Sequence, residues 1–138
     1  MTEFVYLHGF ASGPSSKKAT AFKNKFKEIG VSLNTPDLEG GNFENMTLTS
    51  QVNIVLDLLD QFQCKKVCLI GSSMGGYLAT LVAQRRVEIK ATYLMAPGFN
   101  FLERWMRSLK LDCDDETCWE AKIQIFHYRY DENKYIQT

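Results

Sequence analysis

The sequence predicts a three-layer α/β/α fold built on a mostly parallel sheet of about four strands, and three observations carry that expectation. Short apolar runs alternate along the chain with longer segments whose apolar residues recur every three or four positions, the order of strands joined by crossover helices. The short runs are apolar throughout rather than alternating, as strands buried on both faces are. Glycine and proline stand between the runs, where a chain entering or leaving a strand must turn.

The first run, Phe4 to Leu7, stops at His8-Gly9. After Gly13-Pro14, Ser15 or Ser16 can cap a helix with Ala19, Phe22, Phe26 and Ile29 on its buried face and a lysine-rich outer face, ending at Gly30. A weaker strand is expected over 31–35, before Pro36-Asp37 and a loop at Gly40-Gly41-Asn42. A second helix starts from Thr47 or Thr49, with Leu48, Val52, Val55, Leu56 and Leu59 on one face as far as Phe62. Lys66 to Ile70 reads as the third strand. After Gly71, the residues Met74, Tyr77, Leu78, Leu81 and Val82 fit one face of a helix. Residues 91–95, ATYLM, form the fourth strand, closed by Pro97-Gly98. Right-handed crossovers then imply the spatial order two, one, three, four. Beyond residue 98 the rhythm changes. Phe101, Leu102, Trp105, Met106 and Leu109 share a helical face, and "IQIFHYRYDENKYIQT" alternates like a strand, with a turn expected at Asp131 to Lys134.

A chain of 138 residues, 45% of them hydrophobic, fits a single domain able to bury about two thirds of its unfolded surface. Within 1–138, residues 1–98 are expected to form the core and 99–138 a lid-like insertion. Sixteen basic residues balance sixteen acidic ones, so nothing in the charge calls for nucleic acid, and a small-molecule ligand is expected. No secretory signal pattern and no membrane-spanning apolar run is present, which leads to the expectation of a cytoplasmic protein without membrane contact. The cysteines at 64, 68, 113 and 118 lack metal-ligand spacing, so neither a metal nor another cofactor is expected.

Gly71-Ser72-Ser73-Met74-Gly75 matches G-x-S-x-G with Ser73 at its centre, between a strand and a helix as a nucleophile elbow requires. Glycines two residues to either side let neighbouring backbone pass a strained turn, and the following helix aims N–H groups at any developing oxyanion. Ser72, without two framing glycines, is expected to be structural. No lysine follows these glycines, which excludes a P-loop, and their register excludes a dinucleotide fingerprint. In His8-Gly9-Phe10 the turn after the first strand can offer the Phe10 N–H as one oxyanion donor, with the Met74 N–H as the second; His8 itself is expected to fix the loop.

"YLHGFASGPSSKKAT" (6–20), "PDLEGG" (36–41) and "IGSSMGGYLAT" (70–80), with "LMAPG" after the fourth strand, resemble the α/β-hydrolase superfamily, and within it the YqiA-like small bacterial esterases. The resemblance covers residues 4–98. It implies a partial α/β-hydrolase fold and hydrolysis of a carboxylic ester or thioester through an acyl-enzyme on Ser73. It also implies a triad acid and histidine on later strands, in the order Ser, Asp, His, so the chain is expected to be C-terminally truncated and short of both. The sole histidine after Ser73 is His127, near Asp112, Asp114, Asp115 and Asp131, a lid or surface residue before it is a base. A non-catalytic binding module is the alternative. In a chain truncated before the next strand, the fourth strand, 91–95, would form an unpaired apolar edge and a route to self-association.

Overall fold

The computed structural model describes residues 1–63, 66–100 and 103–104, together with the backbone of 122–126 and 133–137. Strand β1 (Glu3–Leu7) leads to helix α1 (Lys17–Glu28), the short strand β2 (Leu33–Asn34), a 3₁₀ turn at Phe43–Asn45, helix α2 (Leu48–Gln61), strand β3 (Val67–Ser72), helix α3 (Met74–Ala83) and strand β4 (Ile89–Met95). These four strands form one parallel sheet in the order β2-β1-β3-β4, as the alternation predicts.

The helices begin and end where local chemistry allows. Ser16 caps α1, its hydroxyl accepting the Ala19 N–H at 3.3 Å. At the other end Gly30 takes φ +73°, and the N–H groups of Gly30 and Val31 return to the carbonyls of Lys27 and Phe26, closing the helix with a Schellman turn. Ile29 therefore leaves the helical row before it can face the sheet, and it is 72% exposed rather than buried as its spacing suggests. Thr47, not Thr49, caps α2, and a reciprocal box with Ser50 satisfies two backbone donors.

Alternate residues of β1 serve two cores. Val5 and Leu7 join Val55, Leu59, Leu69, Leu78 and Val82 on the face covered by α2 and α3. Tyr6 joins Ala19, Leu33 and Ile70, with Phe4, Phe22 and Phe26, on the face covered by α1. The three layers are thus α1, the sheet, and α2 with α3. β2 is shorter than the expected 31–35 because the Asn34 side chain replaces part of the ladder, donating to the Phe4 carbonyl at 3.1 Å and the Glu3 carboxylate at 3.2 Å, and Pro36 has no N–H to continue it.

β4 pairs with β3 on one side and, among the described residues, lies at an edge of the sheet; Lys90 to Tyr93 are exposed along it. Farther on, β5 (Lys122–Phe126) and β6 (Asn133–Gln137) pair antiparallel. Asn133 and Lys134 sit in β6 rather than in the expected turn, in register with Phe126 and Ile125. Phe101, Leu102, Trp105, Met106 and Leu109, expected on a helical face, lie outside the described residues. No described helix is long and apolar enough to cross a membrane.

Candidate active site

From β1 the chain crosses over α1 to β2 on one side of it, then returns to β3 on the other. In an open parallel sheet such a divergence leaves a crevice beyond the carboxyl ends of the two central strands. His8-Gly9-Phe10 leaves β1 there, and the glycine-framed serines leave β3 at the same place.

Ser73 sits at φ 54° and ψ −119°, a conformation that a residue with a Cβ adopts only under constraint. Its backbone shows what constrains it. The Ser73 N–H donates to the Met95 carbonyl at 2.9 Å, and the Ser73 carbonyl accepts from Gly98 at 2.7 Å and Gly76 at 2.9 Å. The side chain is left exposed, and its hydroxyl meets no hydrogen-bond partner among the described residues. Ser72, one residue earlier, is the reverse. It is buried, its Oγ accepts from Lys18 Nζ at 2.9 Å, and it hydrogen-bonds the Tyr6 hydroxyl. Burial pushes the Tyr6 phenol above its ordinary value, and the Ser72 contact opposes that shift.

Gly75 is the steric centre of the turn. A Cβ there would run into the Leu7 carbonyl oxygen and come within 2.6 Å of the His8 carbonyl, so glycine alone lets the first turn of α3 rest on the end of β1. A Cβ on Gly71 would likewise stand 2.5 Å from the Gly76 Cα. Met74, as the first residue of α3, directs an N–H that has no partner inside the helix toward the crevice end, where the helix dipole is positive.

The loop on the β1 side is tied down by His8, which is 2% exposed. Its Nε2 accepts the Leu38 N–H at 3.0 Å, so the ring proton is on Nδ1, which donates to the Gly9 carbonyl at 2.9 Å. Asp37 Oδ1 lies 3.8 Å from Nε2 and accepts the Glu39 N–H. His8 thus joins the 8–10 loop to the 37–41 loop. A Cβ on Gly9 would be 3.5 Å from the Ser73 Cβ, which places this loop directly beside the serine. The Phe10 ring packs on Phe43.

The structure therefore brings His8, Gly9, Gly71, Ser73, Met74 and Gly75 to one crevice, with Phe10 beginning the loop that leaves it. His127 and the acids at 112, 114, 115 and 131 lie outside the described residues. Among the described residues no group of three His, Cys, Asp or Glu could hold a metal ion. Sequence reasoning did not single out Lys18 and Tyr6, whose convergence on Ser72 depends on α1 lying over the sheet; nor did it connect Pro97-Gly98, which reads as a strand stop, with the backbone of Ser73.

Residues 3–138 match the model of an uncharacterised protein family, UPF0227. The chain belongs to that family. This UPF0227 chain is 38% identical over 104 residues to the Mycoplasma pneumoniae protein named "Putative esterase/lipase 2", an alignment covering 68% of this chain and 37% of that one. It thus spans well under half the length of that curated relative. Among solved structures, Est1E of Butyrivibrio proteoclasticus with ferulic acid bound superposes with a TM-score of 0.78 at 22% identity, over 99% of this chain and 57% of that one. The structure of the Agrobacterium vitis S4 protein named "Putative hydrolase" gives a TM-score of 0.71 at 20% identity, again over 99% and 57%. The UPF0227 chain has the α/β-hydrolase fold.

Proposed function

We propose that this UPF0227 chain carries the nucleophile of a serine hydrolase that cleaves a carboxylic ester or thioester through an acyl-enzyme on Ser73. The observation that carries the reading is the pairing of an exposed hydroxyl with a constrained backbone: Ser73 is held at φ 54° by hydrogen bonds to β4 and to the turn after it. In the reaction, Ser73 Oγ attacks the acyl carbon as its proton passes to a base. The alcohol or thiol leaves with a proton, and water then frees the acid and restores the hydroxyl. The Met74 N–H, with Phe10 opposite, is the proposed donor pair for the oxyanion. The name of the Mycoplasma relative agrees with this class.

The base is proposed to come from a histidine oriented by an acid, as in other serine hydrolases. His8 does not fill that place, because its Nε2 accepts a backbone N–H and its Nδ1–H is spent on Gly9. A second reading follows from the Ser73 hydroxyl having no partner among the described residues: a crevice that binds an ester-like ligand without turning it over.

Labelling with a fluorophosphonate separates the two. The first reading expects covalent labelling that disappears in Ser73→Ala. Ligand-induced stabilisation without labelling would overturn it in favour of the second.

A further inference from the structure

The turn from Met95 to Gly98 touches the serine elbow at more points than a strand stop needs. Ser73 donates its N–H to Met95 and accepts the Gly98 N–H at 2.7 Å, so both backbone polar groups of one residue are held by a single neighbouring segment. A Cβ on Gly98 would lie 3.1 Å from Met74 N, 3.3 Å from Met74 Cα and 3.3 Å from Ser73 C. Near-equal distances to three atoms of one peptide unit place that position over the face of the Ser73–Met74 peptide, not along its N–H. Pro97 rests on the same helical turn, where a Cβ on Gly76 would come within 3.1 Å of the Pro97 Cα and Cβ. The turn keeps this contact at a conformational cost, since Ala96 adopts φ 44°, which is costly for a residue with a Cβ.

We infer that Gly98 is a positioning residue for the proposed acyl transfer: with Pro97 it forms a backbone clamp that fixes the plane of the Ser73–Met74 peptide and thereby aims the Met74 N–H at the oxyanion. Rotating that peptide would move the donor and the serine together, because its carbonyl belongs to Ser73 and its N–H to Met74. Glycine is needed because the clamp works by close approach. At 3.1–3.3 Å a methyl group fits only if the peptide shifts by a few tenths of an ångström. A misplacement of that order is enough to slow a reaction that depends on a preorganised donor.

The role rests on the reading of Ser73 as nucleophile, so its test needs one readout that depends on reactivity and one that does not. The variant is Gly98→Ala. Gly76→Ala pushes the same turn through Pro97 and serves if Gly98→Ala fails to fold. The control is Gly30→Ala, a left-handed glycine at the end of α1 with no atom within 4 Å of the added Cβ, which strains the fold without touching the elbow.

Fluorophosphonate labelling of the full chain is measured as a function of reagent concentration, and the backbone amide of Met74 is followed by NMR. The clamp predicts about a tenfold fall in the limiting labelling rate of Gly98→Ala with little change in half-saturation, beside an unchanged limiting rate in Gly30→Ala. It also predicts a displaced Met74 amide resonance in Gly98→Ala and Gly76→Ala, and an unmoved one in Gly30→Ala. A wild-type limiting rate in a folded Gly98→Ala, or a Met74 amide that stays in place, overturns the clamp. If the wild type shows no labelling at Ser73, the nucleophile reading fails by itself, and the Met74 amide still decides the clamp.

Discussion

On the β1 side of Ser73 the 8–10 loop is held by a side chain, the buried His8 ring with both nitrogens engaged; on the β4 side the 95–98 turn is held by main-chain hydrogen bonds and by the absence of a Cβ at Gly98. The first device ties one loop to another, 8–10 to 37–41. The second acts on the backbone of the serine itself. A side-chain tether can be removed by deleting the side chain, whereas a backbone clamp can be disturbed only by adding atoms or changing the turn. The two flanks should therefore respond to opposite kinds of substitution.

The largest effect is expected where both flanks meet. Gly75 lets α3 close on the carbonyls of Leu7 and His8, and its first turn carries Met74 toward Gly98. In Gly75→Ala the overlap is with backbone, which cannot rotate away, so the cost is about 3 kcal/mol or more. Urea unfolding should show a large fall in midpoint. A near-wild-type midpoint would mean that α3 can slide along the sheet, and the comparison of flanks would lose its common support.

How much of this was legible in the sequence differs between the flanks for a physical reason. G-x-S-x-G and His-Gly-Phe announce themselves because each needs particular residue types in consecutive positions. The sheet order follows from the handedness of crossovers acting on a visible alternation. Ala96-Pro97-Gly98 reads as a strand terminator, since close approach between segments more than twenty positions apart leaves no local pattern. Ile29 misled because the spacing continued one residue past the end of α1, into the Schellman turn. Lys18 was hidden in a lysine-rich face that is otherwise solvated, and only the placement of α1 shows its ammonium on Ser72.

Next in size is the tether. His8→Ala removes the acceptor of the Leu38 N–H and leaves a gap where a fully packed ring had been. An unsatisfied buried donor with the lost packing costs about 2–3 kcal/mol. Thermal unfolding should register it, and amide exchange should show Leu38 losing protection before residues of the 95–98 turn. Equal loss of protection on both sides would show that the flanks form one cooperative unit and not two separate devices.

The smallest effect is expected at the opposite end of β4, where a half-buried arginine reaches one half-buried and one solvated carboxylate. Arg86 donates to Asp60 of α2 at 2.7 Å and to Glu88 just before the strand, and the hydrogen bond from Arg86 holds the Glu88 carboxyl below its usual value of 4.5. A carboxyl with a lowered folded-state pKa contributes stability that is complete above its unfolded-state value and is lost as the pH falls through the folded-state value. Arg86→Met should accordingly cost below about 1 kcal/mol at neutral pH, since the Asp60 partner is largely solvated. The difference from wild type should shrink toward zero in urea unfolding well below pH 4.5. A difference that persists in acid would assign the loss to packing of the arginine stem against α2 rather than to charge. In that case β4 would be anchored by contact at both ends, by backbone at Gly98 and by hydrocarbon at Arg86.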